Sequence, residues 1–132
     1  MSGGTYVLVV ELNSPVEIEF GAAGERSLGA GWYAYVGSAL GPGGFARIDR
    51  HRHIAAGESE TRHWHIDYLL GTDTARISEV VRLPSASCEC ELAEAITGEP
   101  VQGIGASDCR CLSHLHRISR PAAVQRAVRT IA

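Results

Sequence analysis

The 132-residue sequence contains no lysine: all twelve of its basic residues are arginines. Every fixed positive charge is therefore a planar fork suited to carboxylates or phosphates. An excess of positive charge is also missing, because fifteen acidic residues leave a formal net charge of -3, which argues against a protein that coats nucleic acid by bulk electrostatics. The charge is instead polarised along the chain. Residues 1–30 hold Arg26 alone against Glu11, Glu17, Glu19 and Glu25, whereas residues 106–132 hold five arginines against Asp108 alone. Long apolar runs are lacking too: stretches such as Tyr6 to Val10 fall far below the roughly 20 residues that cross a bilayer. Met1-Ser2-Gly3-Gly4 leads straight into a strand-like run without the basic flank and apolar core of a secretory leader, so a cytoplasmic protein without membrane contact is expected. No repeat, linker or low-complexity segment interrupts the chain. With 45% hydrophobic and 20% charged residues it reads as one globular domain over residues 1–132, long enough to build a core without metal or disulfide.

Several elements are legible. Gly4 to Leu12 is rich in Val, Leu and Tyr, and Asn13-Ser14-Pro15 turns it toward a second alternating run, Val16 to Phe20. After a glycine-rich loop, Trp32 to Val36 reads as a further strand. Phe45 to Ala56 has helix formers at helical spacing, His63 to Leu70 reads as a short helix, and Ala75 to Leu83 as a strand. Ser87 to Thr97 reads as a helix opened by a serine cap and closed by Gly98. The clearest helix follows Pro121, with Val124, Val128 and Ile131 on one face and Gln125, Arg126 and Arg129 on another. Strand pairs interrupted by helices, without regular βαβ alternation, indicate an α+β fold on a small antiparallel sheet.

Arg47 and His51 stand four residues apart and so share one face of their helix. Together with Tyr35 they form a set used in phosphate chemistry: an arginine stabilises charge on phosphoryl oxygens, and a phenol or imidazole moves a proton at the attacking or leaving oxygen. Taken alone, Arg-Ile-Asp-Arg-His-Arg-His reads as a solvated helix face. Glu91, if the fold carries it toward these groups, would hold one hard cation such as Mg²⁺. Cys88, Cys90, Cys109, Cys111, His114 and His116 raise zinc, although C-x-C pairs are tighter than the usual knuckle; the alternative is inert buried thiols. In His63-Trp64-His65-Ile66-Asp67-Tyr68 the histidines would share a face only on a strand; on a helix, Trp64 and Tyr68 pack into the core and His65 or Asp67 caps backbone groups. Gly41-Pro42-Gly43-Gly44 lacks the lysine of a phosphate-binding loop.

Gly4-Thr5-Tyr6, Tyr35-Val36-Gly37-Ser38, Arg47, His51 and a helical Glu91 resemble, in that order, the GIY-YIG nuclease superfamily. Longer blocks look like its branch called domain of unknown function 123: Tyr35 to Gly41, Arg47 to His51, His63 to Leu70, Cys90 to Ala93, and Gly103 to Leu115. The resemblance spans nearly the whole chain. It implies a three-stranded antiparallel sheet flanked by helices, and metal-dependent phosphodiester hydrolysis of DNA or another structured nucleic acid, with Mg²⁺ or Mn²⁺ as cofactor. Tyr35 would be the general base or orient the attacking water, with Tyr6 as its supporting neighbour. Arg47 would brace the scissile phosphate, His51 assist proton transfer, and Glu91 hold the metal. The stretch between Tyr6 and Tyr35 is longer than is typical of the superfamily, so an extra strand pair is expected near residues 16–31. Domains of this branch occur alone and joined to endonuclease III, which points to DNA repair and a repair glycosylase as partner. Arg50, Arg52, Arg110 and Arg117 are the candidate nucleic-acid contacts, and Cys90, Cys109, Cys111 and His114 the candidate Zn²⁺ ligands. The alternatives are a non-catalytic nucleic-acid binding module and a zinc-stabilised protein-interaction domain.

Overall fold

The computed structural model of the chain describes residues 3–20, 24–38, 44–58, 65–84, 92, 95–96, 99–101 and 115–131. Its most apolar stretch forms strand β1 (Gly4–Leu12), in which every residue except Glu11 is buried. A strand so uniformly apolar must be covered on both faces and flanked on both edges. Antiparallel pairing with β4 (Gly31–Ser38) and β5 (Ala75–Pro84) supplies the flanks. Between β1 and β4, β2 (Val16–Glu19) and β3 (Glu25–Leu28) form a separate two-stranded antiparallel sheet. The strand pair expected near residues 16–31 is therefore present.

The main sheet is larger than the resemblance implies. Beyond β4 it continues into β7 (Leu115–Ile118) and the two-residue β6 (Glu99–Pro100), giving the five-strand order β5-β1-β4-β7-β6. All four pairings are antiparallel. β7 escaped the sequence reading because four residues behind a cysteine- and histidine-rich stretch give too little alternation to stand out.

Period-two alternation sorts the sheet's side chains into two cores. Tyr6, Leu8, Val10, Tyr33 and Tyr35 face helix α1 (Ala46–Ala55), helix α2 (His65–Leu70) and the β2–β3 hairpin. Val7, Val9, Ala34 and Val36 face the opposite way, toward Leu92, Ile96 and helix α3 (Ala122–Ile131). Of the helix expected over residues 87–97, Leu92 and Ala95 are helical, Ile96 is a bend whose N–H bonds to the Leu92 carbonyl, and the rest lies outside the described residues.

Helix α1 buries one narrow stripe, Ile48, His51 and Ile54, at i, i+3 and i+6. Each isoleucine contributes about 1.5–3 kcal/mol of apolar burial, and Ile48→Ala would cost about 2–5 kcal/mol. The imidazole in the middle of that stripe gains no comparable apolar term. The helix ends in a Schellman turn, with the Glu58 N–H bonded to the His53 carbonyl, the Gly57 N–H bonded to the Ile54 carbonyl, and Gly57 at φ +79. Helix α2 is seated by Ile66, Leu69 and Leu70, all buried. Helix α3 follows Pro121 and buries Ala123, Val124 and Ala127, with Gln125, Arg126 and Arg129 exposed as their spacing predicts. No helix among the described residues is long and apolar enough to cross a membrane.

Candidate active site

Tyr6 and Tyr35 come from neighbouring strands and point to the same face of the sheet. In the β1–β4 register Tyr6 lies opposite Gly37 and Leu8 opposite Tyr35, and residues two apart on a strand share a face. Gly37 is what lets the Tyr6 ring lie flat across β4. A Cβ at that position would come within 2.5 Å of Tyr6 Cζ and Oη. The tyrosine of the first motif and the glycine of the second are thus one packing unit.

Helix α1 crosses above and lowers His51 onto this pair. The Tyr6 hydroxyl lies 2.7 Å from His51 Nε2, with the ring centroids 5.7 Å apart. Tyr35 approaches the same imidazole edge-on, centroid to centroid 6.3 Å. Arg47, one turn before His51 and half-buried, is close enough for its charge to favour ionisation of Tyr6. Burial dominates nevertheless: together with the neighbouring Tyr35 it drives the Tyr6 phenol far above the ordinary tyrosine range, Asp67 adds to the shift, and Arg47 and Arg50 oppose it. Tyr6 and His51 are 1% and 0% exposed, and Tyr35 is 7% exposed. The four residues come together, with the Tyr6–His51 pair in the interior and Arg47 nearer the solvent.

Asp67, from α2, completes the arrangement and was assigned only a capping part by its sequence context. It is the sole buried carboxylate among the described residues. Its Oδ2 accepts from Arg50 at 3.2 Å, while Oδ1 lies 3.7 Å from His51 Nδ1. The Tyr6 hydroxyl and Nε2 thus share one hydrogen bond, while Nδ1 on the other side of the ring faces the carboxylate at a distance longer than a hydrogen bond. The sequence signal for Asp67 was its place in His-x-Asp, next to the apolar Ile66 and Leu69 that seat α2. Arg82 was also missed. It lies opposite Tyr6 on β5, on the same face of the sheet, with its guanidinium 6.0 Å from the Phe45 ring centroid.

The remaining candidates separate. Arg50 is committed to Asp67. Arg52 is exposed and lines another groove, between α1 and β5. Arg117 is exposed on β7, its guanidinium donating to the Ala30 carbonyl at 3.1 Å. Glu91, Cys88, Cys90, Cys109, Arg110, Cys111 and His114 lie outside the described residues. Among the described residues no three His, Cys, Asp or Glu side chains gather as a metal site.

The arrangement holds a buried imidazole between a phenol and a carboxylate. It sets a guanidinium and a second phenol beside them, a geometry suited to bracing an anion and steering a proton. Residues 5–132 match the family model described as Domain of unknown function DUF123. No curated protein matches the chain, and no solved structure does.

Proposed function

The chain belongs to the DUF123 family, and from that premise and the geometry around His51 we propose that it is a phosphodiester hydrolase of the GIY-YIG type, acting on structured or damaged nucleic acid, DNA in the first place. The observation that carries this reading is the convergence of Tyr6, Tyr35, Arg47 and His51, drawn from two strands and a helix, around one hydrogen bond of 2.7 Å. A binding module needs arginines but gains nothing from a buried phenol–imidazole pair, whose retention costs apolar packing.

In this reading Arg47 braces the scissile phosphate and stabilises the charge that builds on its oxygens as water attacks phosphorus and the phosphorus–oxygen bond to the leaving group breaks. Tyr35 orients the attacking water, or takes its proton while passing its own hydroxyl proton to solvent, and the leaving oxygen is protonated from solvent. His51, too buried to meet the substrate, acts through Tyr6 as a positioning residue, held in one tautomer by Asp67. The divalent ion that the resemblance implies, Mg²⁺ or Mn²⁺, would rest on Glu91 and supply Lewis-acid stabilisation. The described residues make no metal site by themselves, and the steps given to Tyr35, Arg47, Tyr6 and His51 do not run through the ion.

The test is cleavage of single-stranded, duplex, flapped and abasic substrates with Mg²⁺ or Mn²⁺. At least one substrate is expected to be cut by the wild-type protein and spared by the Arg47→Ala variant. Binding to every substrate without cleavage of any would support the binding module instead.

A further inference from the structure

A second groove opens on the same face of the sheet as Tyr6 and Tyr35, at the other end of β4. Tyr33 stands two residues before Tyr35, about 6.6 Å along the strand and on the same side. Directly across the ladder from Tyr33 is Arg117 on β7, and across from Arg117 is Glu99 on β6. The β2–β3 hairpin closes the opposite wall with Arg26 and Leu28, enclosing about 320 Å³. The groove is therefore built by the hairpin and the two added strands together.

Arg117 is seated in a fixed pose. Its guanidinium lies over Gly29, where a Cβ would come within 3.1 Å of Nη1 and 3.4 Å of Nη2. One Nη donates to the Ala30 carbonyl at 3.1 Å, which leaves the rest of the fork for a ligand. Among the described residues no carboxylate lies within ion-pair distance of it. Arg26 brings a second guanidinium to the groove, one Nη donating to the Glu25 carbonyl at 3.1 Å. The Tyr33 hydroxyl donates to the Gly29 carbonyl at 2.7 Å, so the donor the groove presents to a ligand is the Arg117 fork.

We propose that this groove is a phosphate subsite, taking a backbone phosphodiester of the same nucleic-acid strand that passes over Tyr35 and Arg47. The identity of the polymer rests on the hydrolase reading above; the anion site rests on the groove alone. The single fixed fork of Arg117, with the Glu99 carboxylate across the ladder from it, suits a singly charged diester rather than a dianionic phosphate monoester. Glu99 in turn accepts a hydrogen bond from a sugar hydroxyl or a base amine beside the phosphate. A carboxylate in that position would be a liability in a pure anion trap and is an asset in a nucleotide subsite.

The test is binding of a short fluorescein-labelled single-stranded DNA, followed by anisotropy through a salt series in the presence of a chelator, so that no cleavage occurs. Losing one phosphate contact lowers the slope of log K against log salt by about 0.7, and at about 0.1 M salt weakens binding about fivefold. Arg117→Ala is expected to show both changes. Gly29→Ala is the second variant: Gly29 has no positive φ, and its close neighbours are the flexible end of Arg117, so the fold tolerates a methyl group while the guanidinium is displaced. It is expected to weaken binding with no change of net charge. Wild-type affinity and slope in both variants would overturn the subsite, as would the absence of wild-type binding at low salt. Because the readout needs no catalysis, a protein that binds in this way yet cuts nothing would sink the hydrolase reading and leave the subsite standing.

Discussion

The Tyr6 hydroxyl and Nε2 of His51 meet at 2.7 Å across 45 residues of sequence. Neither is exposed, so the pair is a structural commitment as much as a chemical one. An imidazole occupies the central position of the α1 stripe, where an aliphatic side chain would pack at less cost, and a phenol occupies the strand position facing it. Asp67 and Arg50 extend the contact to a carboxylate and then to a guanidinium, which carries the charge toward water.

Tyr6→Phe leaves Nε2 buried without its hydroxyl partner, and is expected to cost about 1–3 kcal/mol in urea unfolding at neutral pH. Alkaline stability gives a second readout. Burial holds the Tyr6 phenol protonated far above its ordinary 10.0, so above that pH the unfolded chain releases a proton that the folded chain keeps. The contribution is fully present below pH 10.0 and is lost as the pH rises beyond it. The loss is about 1.4 kcal/mol per pH unit for each such tyrosine. Tyr33 is shifted upward as well, chiefly by burial, so the variant is expected to flatten the decline without abolishing it. An unchanged slope would show that Tyr6 ionises normally.

Gly37→Ala is expected to destabilise the protein although alanine suits a strand. The new Cβ would lie 2.5 Å from the Tyr6 ring, which is pinned at its far end by His51. Overpacking of this kind costs about 1–3 kcal/mol. Shortening the opposing side chain should restore part of it, so a cycle with Tyr6→Leu is expected to show favourable coupling in thermal unfolding. Purely additive effects would place the strain elsewhere.

The parts of this fold that the sequence displays are those whose residues repeat with a period. The apolar run of β1, the alternation around Tyr35 and the face of Val124 and Val128 each mark an element by themselves, and the long Tyr6-to-Tyr35 interval signalled the β2–β3 hairpin. What stayed hidden depends on contacts between distant segments. Strand β7 is defined by pairing Leu115 with Tyr35 and Ile118 with Trp32, which four residues cannot announce. Asp67 looked like a capping residue because nothing local shows that α2 lays it against Arg50 and His51. Arg82 is an ordinary polar position of an alternating strand until the register sets it opposite Tyr6. The burial of His51 was equally unreadable, since Arg-His-Arg-His resembles any solvated helix face.

Asp67→Asn removes the charge facing His51 Nδ1 and retains the shape. Removing one partner of a buried ion pair typically costs 3–5 kcal/mol, about the upper limit for this pair. Arg50 keeps 29% of its side chain exposed and regains water when its partner is lost, so the expected cost is nearer 1–3 kcal/mol. The more telling readout is the tautomer. Nitrogen-15 spectra of the His51 ring should show the proton on Nδ1 in the wild-type protein and on both nitrogens in exchange in the variant. Identical spectra would mean that Tyr6 alone orients the ring and that Asp67 serves only to pair Arg50.

Arg47→Ala separates catalysis from binding. A guanidinium that stabilises charge developing on phosphoryl oxygens acts mainly in the transition state, so the variant should lose on the order of a hundredfold in kcat while its affinity for the uncleaved substrate changes little. Arg117→Ala should behave in the opposite sense, weakening affinity and salt dependence with kcat near the wild-type value at saturating substrate. The contrast follows from position. Arg47 stands one helical turn from His51 and close to Tyr6, at the proposed site of hydrolysis, whereas Arg117 lies across from Tyr33, in the proposed phosphate subsite. Parallel losses of affinity and turnover in both variants would remove the distinction and make the sheet face one continuous binding surface.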